Sequence, residues 1–216
     1  MHLYLVRHGR QSSTLCNVDV GLSEAGRRQA ELTGRRLQDS GITALASSSM
    51  VRAQQTADLM NASLDLPRLV DPRLRELNFG DMEGLTDAEI GQRFADFHAA
   101  QAEMREDLPY PGGEAPGAVA ARALAAIDDL AALGHERVAI VTHGVVIRTL
   151  AAHALGAPIP RWRSVAVRLE NGSITELTRN NSGSPTRTFT LERLNDYAHL
   201  EPYPELLRAA WGVAEN

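Results

Sequence analysis

Two histidines carry the strongest chemical signal in this chain. His8 stands in Arg7-His8-Gly9 and His143 in Thr142-His143-Gly144. Each follows, after one polar residue, a short apolar run, residues 3–6 and 138–141, of the kind that forms a buried strand in a parallel sheet. Ligands of open α/β sheets bind outside the carboxyl ends of the strands, so neighbouring strands would bring both rings over one crevice. A glycine after each histidine lets backbone N–H groups approach a ligand. A metal is one rival occupant for paired histidines, but it needs a third ligand and usually a carboxylate. The adjacent arginine favours an anion, because a guanidinium repels a cation and matches phosphate oxygens.

Composition narrows the chemistry further. All 22 basic residues are arginine, since the 216-residue chain contains no lysine. That excludes a Schiff-base mechanism and a P-loop with its Gly-Lys pair. A single cysteine, Cys16, excludes an internal disulfide framework and a paired-cysteine metal or redox site. The net charge of −5 comes without a basic tail, which argues against broad nucleic-acid binding. No apolar run approaches the roughly 20 residues of a membrane span. No basic stretch or small-residue cleavage site marks a secretory signal, so the expected compartment is the cytoplasm.

The elements that must position the histidines are readable from periodicity. A helix is expected from Ser23, its N-cap, with Leu22, Gly26, Ala30, Thr33 and Leu37 on one face. Residues 42–46 and 68–70 read as further strands, and 52–62 as a helix. Residues 85–108 are helical but loosely patterned, with Phe94 and Phe97 as anchors, and Pro109 to Gly113 break the pattern. A helix entered at Pro116 buries Val119, Ala123, Ile127 and Leu130, and another runs over 145–155. Val165, Val167 and Leu169 alternate as in a strand, Asn171-Gly172 reads as a hairpin turn, and 174–178 would return. A loop is expected at 180–186 and a last strand at 189–194. The order implies one α/β domain, residues 1–216, with a mostly parallel sheet. An insertion at about 80–115 would cover the active face as a lid.

Seven segments, in order, resemble the histidine phosphatase superfamily, also called phosphoglycerate mutase-like. Arg7-His8-Gly9 is similar to its RHG motif. Residues 22–30 (LSEAGRRQA), 48–57 (SSMVRAQQTA), 74–84 (LRELNFGDMEG) and 111–114 (PGGE) resemble its next four motifs. Residues 142–148 (THGVVIR) and 195–200 (NDYAHL) resemble its last two. The resemblance spans about residues 3–200. It implies a three-layer α/β/α sandwich and a reaction that needs neither metal nor organic cofactor. It also implies a small phosphorylated substrate, and in many members a homodimer paired at a sheet edge.

The resemblance also implies residue roles. His8 would attack phosphorus in line, becoming phosphohistidine. Arg7 and Arg52 would clamp the phosphate oxygens. His143 would donate a hydrogen bond to the phosphoryl group, assisted by the Gly144 amide. Glu76 would protonate the leaving alkoxide and then activate water. Glu83 competes for that role or orients the loop. Glu114 reads equally as a helix cap or part of the pocket rim. Asn195, Asp196 and His199 read as structural, and His2, His98, His135 and His153 as surface or packing residues. One departure concerns the loop after Gly9, where Gln11 and Thr14 replace the usual serine or threonine and asparagine. Ser12 or Ser13, and Asn17, would then take over the auxiliary phosphate contacts.

Three functions fit these residues. A phosphatase hydrolysing a small phosphomonoester is favoured by residues 74–80 and by the Asn195–Leu200 end. A bisphosphoglycerate-dependent phosphoglycerate mutase is the alternative, but it resembles longer chains with more basic residues. A non-enzymatic binding protein on the same fold would be expected to have lost His8, Arg52, Glu76 or His143, and all four are present. Phe94, Phe97, Met104, Tyr110 and Tyr197 would line the substrate rim.

Overall fold

The structure is a computed structural model that describes residues 1–180 and 188–208. The elements follow as β1 (His2–Arg7), α1 (Glu24–Leu37), β2 (Ala44–Ser47), α2 (Val51–Leu64) and β3 (Arg68–Val70). Then come α3 (Asp87–Arg93), α4 (Ala95–Ala102), α5 (Pro116–Ala132), β4 (Arg137–Thr142) and α6 (Gly144–Ala154). Two strands close the order, β5 (Ile174–Asn180) and β6 (Thr188–Asp196).

Alternation along the strands produces the layers. Leu3 and Leu5 of β1 pack with Val138 and Ile140 of β4 against Val119, Ile127 and Ile147 of α5 and α6. Tyr4 and Val6 pack with Ala139 and Val141 against Leu37, Ala53 and Met60 of α1 and α2. A strand with both faces covered needs apolar residues at every position, which is why these runs do not alternate with polar residues. The result is an α/β/α sandwich. The sheet order is β3-β2-β4-β1-β5-β6. The first four strands are mutually parallel, while β5 runs antiparallel to β1, and β6 antiparallel to β5.

Ser23 caps α1 as the sequence requires, its hydroxyl accepting from Gly26 N at 3.1 Å. Pro116 opens α5, and Val119, Ala123, Ile127 and Leu130 are buried. Two expectations need correction. Residues 165–169 form no strand: a 3-10 segment at Ile159–Ser164 precedes them, and Val167 is 78% exposed. Asn171-Gly172 is therefore no hairpin turn. It enters β5 instead, and the antiparallel hairpin is β5–β6. Asn180 ends β5, and the rest of the expected loop, 181–186, lies outside the described residues. The loosely patterned stretch after residue 85 resolves into two short helices, α3 and α4, broken at Phe94.

Glycines set the distance between α1 and the loop that carries His8. A Cβ on Gly26 would strike the Arg10 carbonyl oxygen, and one on Gly9 would strike the Gly26 carbonyl. Backbone therefore crosses backbone with no room for a side chain. Gly26→Ala is expected to lower stability by about 2 kcal/mol, an overpacking effect. Urea unfolding checks it: an unchanged midpoint would mean that the crossing is not tight.

Candidate active site

Register brings the histidines together. Arg7 pairs with Thr142 across the parallel β1–β4 ladder, so the next residues, His8 and His143, leave adjacent strand ends side by side. Their ring centroids are 5.0 Å apart. Ser47 of β2 pairs with Val141, which places Ser48 and the start of α2 at the same end. Arg52, in the first turn of α2, is 2% exposed and points its Nε at His8 Nε2, 3.2 Å away.

These contacts fix the tautomer of His8. Its Nδ1 lies 2.7 Å from the Gly9 carbonyl oxygen, which can only accept, so Nδ1 carries the proton. The ring is neutral, because burial, then Arg52, then Arg7 hold its pKa well below 6.5. Nε2 therefore presents a lone pair, and Arg52 is the group that donates to it. The backbone of the loop is held on every side. His8 N donates to Thr142 O at 3.0 Å, Asn171 Nδ2 to His8 O at 2.8 Å, and Gly9 N to Thr56 Oγ1 at 3.0 Å.

His143 is fully buried, and Ser48 Oγ lies 2.8 Å from its Nε2. Its Nδ1 is buried without a partner among the described residues. Burial, then His8, Arg52 and Arg7 hold its pKa well below 6.5 as well. In both histidines folding favours the neutral ring, so the unfolded chain binds more protons below pH 6.5. Stability is thus fully present above that pH and falls as pH drops, by up to about 1.4 kcal/mol per unit for each histidine. Urea midpoints measured from pH 7.5 to 5 should fall. A flat profile would mean that the rings accept protons in the folded state.

Glu76 sits on the loop between β3 and α3. Its Oε1 accepts from Leu77 N at 3.0 Å and from Val145 N, in the first turn of α6, at 3.2 Å. The loop is pinned from behind. Glu114 pairs with Arg122 at 2.8 Å, and that guanidinium donates to the carbonyls of Arg73, Arg75 and Glu76. Glu114 is thus no cap, since α5 has no side-chain cap, but a buttress of the loop. Glu83 orients the loop, accepting from Asn17 Nδ2 at 2.7 Å and Phe79 N at 3.1 Å.

Two clefts meet at Glu76. One, of about 450 Å³, is lined by Asn17, Asp19, Arg75, Asn78 and Glu83. The other, of about 270 Å³, is lined by Arg7, Gly144, Arg148, Arg168 and Arg208. Arg52 and His143 contact His8 and Asn17 contacts Arg52, while Arg7, Glu76 and Gly144 share the smaller cleft; His8 itself lines neither cleft. Asn17, at φ +46°, accepts from Arg52 Nη2 at 2.6 Å. Ser12 does not join these contacts: it is exposed, and its backbone N is tied to Gly21 O. Ser13 Oγ is turned to Leu15 N. Tyr197 packs beside Leu200 and Leu32, away from both clefts, and Tyr110 is buried against Phe79 and Phe97. Asn195, Asp196 and His199 hold the C-terminal segment, with Asn195 Oδ1 accepting from Glu170 N and His199 Nε2 lying 3.1 Å from Thr33 Oγ1.

Sequence reasoning missed Ser48, Asn171, Arg148 and Arg208. Ser48 lies inside the third of the seven motifs, one residue past the end of β2, and Asn171 reads from the sequence as a turn only. Arg208 carried no motif signal.

Among known proteins, the histidine phosphatase superfamily (branch 1) profile matches residues 3–196. The "Probable phosphoglycerate mutase GpmB" of Erwinia tasmaniensis is 31% identical, over 93% of this chain and 95% of that one. The solved structure of mycobacterial glucosyl-3-phosphoglycerate phosphatase superposes with a TM-score of 0.78 at 31% identity, covering 90% of this chain and 98% of that one. Alpha-ribazole phosphatase from Shigella flexneri superposes with a TM-score of 0.75 at 26% identity, covering 91% and 96%.

Proposed function

The chain belongs to the histidine phosphatase superfamily, and from that premise we propose that it hydrolyses a small phosphomonoester through a phosphohistidine on His8. The observation that carries this reading is the His8 tautomer: a neutral ring with its Nε2 lone pair in a nest of arginines. The phosphate displaces the Arg52 contact from Nε2, and Arg52 and Arg7 then grip its oxygens. Nε2 attacks phosphorus in line as the ester oxygen leaves. Glu76 gives that oxygen a proton, and afterwards takes one from the water that cleaves the P–N bond. His143, with Ser48 donating to its Nε2, carries its proton on the unpartnered Nδ1 and donates it to a phosphoryl oxygen. Residues 80–115 act as the lid over the larger cleft. The cytoplasm is the working compartment, a reading supported by the lone thiol of Cys16.

Phosphorus NMR with 3-phosphoglycerate, bisphosphoglycerate and a panel of sugar phosphates tests the reaction. Growth of inorganic phosphate without positional isomers is expected. The relatives named as mutases motivate the other outcome: interconversion of 3- and 2-phosphoglycerate without phosphate release would overturn hydrolysis. EDTA is expected to leave the rate unchanged, since arginines rather than a metal stabilise the transferred charge. Reversible loss restored by zinc or manganese would contradict that.

A further inference from the structure

The two clefts that meet at Glu76 differ in charge. The larger carries Asp19, Glu76 and Glu83 against one cation, Arg75. Among the described residues, the smaller is lined by Arg7, Arg148 and Arg208, beside Arg168, and by one carboxylate, Glu76. We propose that this smaller cleft is a second anion subsite, in which Arg148 of α6 and Arg208 hold a carboxylate or phosphate borne by the leaving group. The proposal rests on the phosphomonoesterase reading and adds to it a substrate class: organic phosphates with a remote second anion.

The arginines are fixed for that purpose by their own partners. Arg148 is anchored through Nη2 to the Val167 carbonyl at 3.1 Å, and Trp162 lies under its guanidinium. Among the described residues its Nε is buried without an acceptor, as is the Nε of Arg7. Arg208 donates to Asn171 Oδ1 at 3.0 Å, and its backbone N donates to Glu170 Oε1 at 3.3 Å. Asn171 in turn holds the His8 carbonyl. The guanidinium is therefore tied to the nucleophile loop at a fixed separation. After burial, Arg208 is the charge that depresses Arg7 most and Arg148 adds to it, with Glu76 and Glu170 opposing; at Arg148, Glu76 outweighs either Arg163 or Arg208. An anion relieves the repulsion of Arg208 and Arg148 at Arg7, and guanidinium groups suit the planar oxygens of carboxylates and the faces of phosphates alike. The same anion in the larger cleft would face Asp19 and Glu83.

Three probes on one three-carbon skeleton test the proposal: 3-phosphoglycerate, glycerol 1,3-bisphosphate and glycerol 3-phosphate. At least one doubly anionic probe should exceed glycerol 3-phosphate tenfold or more in kcat/KM, and which one does so tells carboxylate from phosphate. That ratio should fall to within twofold in the Arg148→Gln, Arg208→Gln double variant. Equal rates in the unaltered enzyme, or a preference that survives the double variant, would overturn the subsite. Calorimetric binding of the three probes to the His8→Ala protein, with and without the two arginine changes, gives the same comparison without turnover. Failure to hydrolyse any probe would count against the phosphatase reading, and the binding comparison would still decide the subsite.

Discussion

Replacing His8 with alanine is expected to lower turnover by at least about a hundredfold while the protein stays folded. The side chain is buried, and its ring touches the Gly9 carbonyl, Arg52 and the His143 ring. Removing it also removes a group whose protonation the fold resists. The loop itself is held by the backbone bonds to Thr142, Asn171 and Thr56, none of which needs the imidazole. Steady-state rates paired with circular dichroism check both halves. Activity above about a hundredth of the unaltered enzyme would mean that water, rather than His8, attacks phosphorus directly.

The second large effect belongs to Glu76→Gln. The amide keeps the shape of the carboxylate and can still accept from Leu77 N and Val145 N, but it cannot give or take a proton. A general acid–base group contributes about 10²- to 10⁴-fold, and a loss in that range is expected for alkyl phosphates. Para-nitrophenyl phosphate separates its two roles, because nitrophenolate departs without a proton. The variant should release about one equivalent of nitrophenol in a rapid burst and then turn over slowly, since hydrolysis of the phosphoenzyme still needs the base. Equal losses in burst and steady state would show that Glu76 positions the phosphate and transfers no proton. Should Glu83→Gln give the larger loss, the acid would be Glu83, the rival that the structure ties to Asn17 and Phe79 N.

The parts of this site that were legible in the sequence are those dictated by local chemistry. An apolar run followed by a polar residue and glycine marks a strand end in a parallel sheet, and so His8, His143 and the Arg52 helix start could be placed before any coordinates. Ser23 and Pro116 announced their helices through capping and fixed φ. What failed did so for non-local reasons. Residues 165–169 alternate like a strand, yet they follow directly on the 3-10 segment Ile159–Ser164 and leave Val167 exposed, so the alternation joins no ladder and buries no continuous face. Ser12 was chosen for its hydroxyl and position in the chain. Its backbone bond to Gly21 O carries it out of the cleft, and Asn17 enters instead through a left-handed turn. Arg148 and Arg208 are 60 residues apart and meet only because the chain after β6 returns across α1, where Leu200 and Leu206 pack on Leu32. Periodicity carries no trace of such a return.

The central claim is covalent: phosphorus passes through His8. Rapid acid-free quenching of the enzyme with ³²P-labelled para-nitrophenyl phosphate, followed by alkaline digestion and peptide mapping, tests it most directly. The account predicts an alkali-stable, acid-labile label on the peptide containing His8, formed at least as fast as turnover and accumulating in Glu76→Gln. A label on another residue, or none while nitrophenol is released at the full rate, would contradict it.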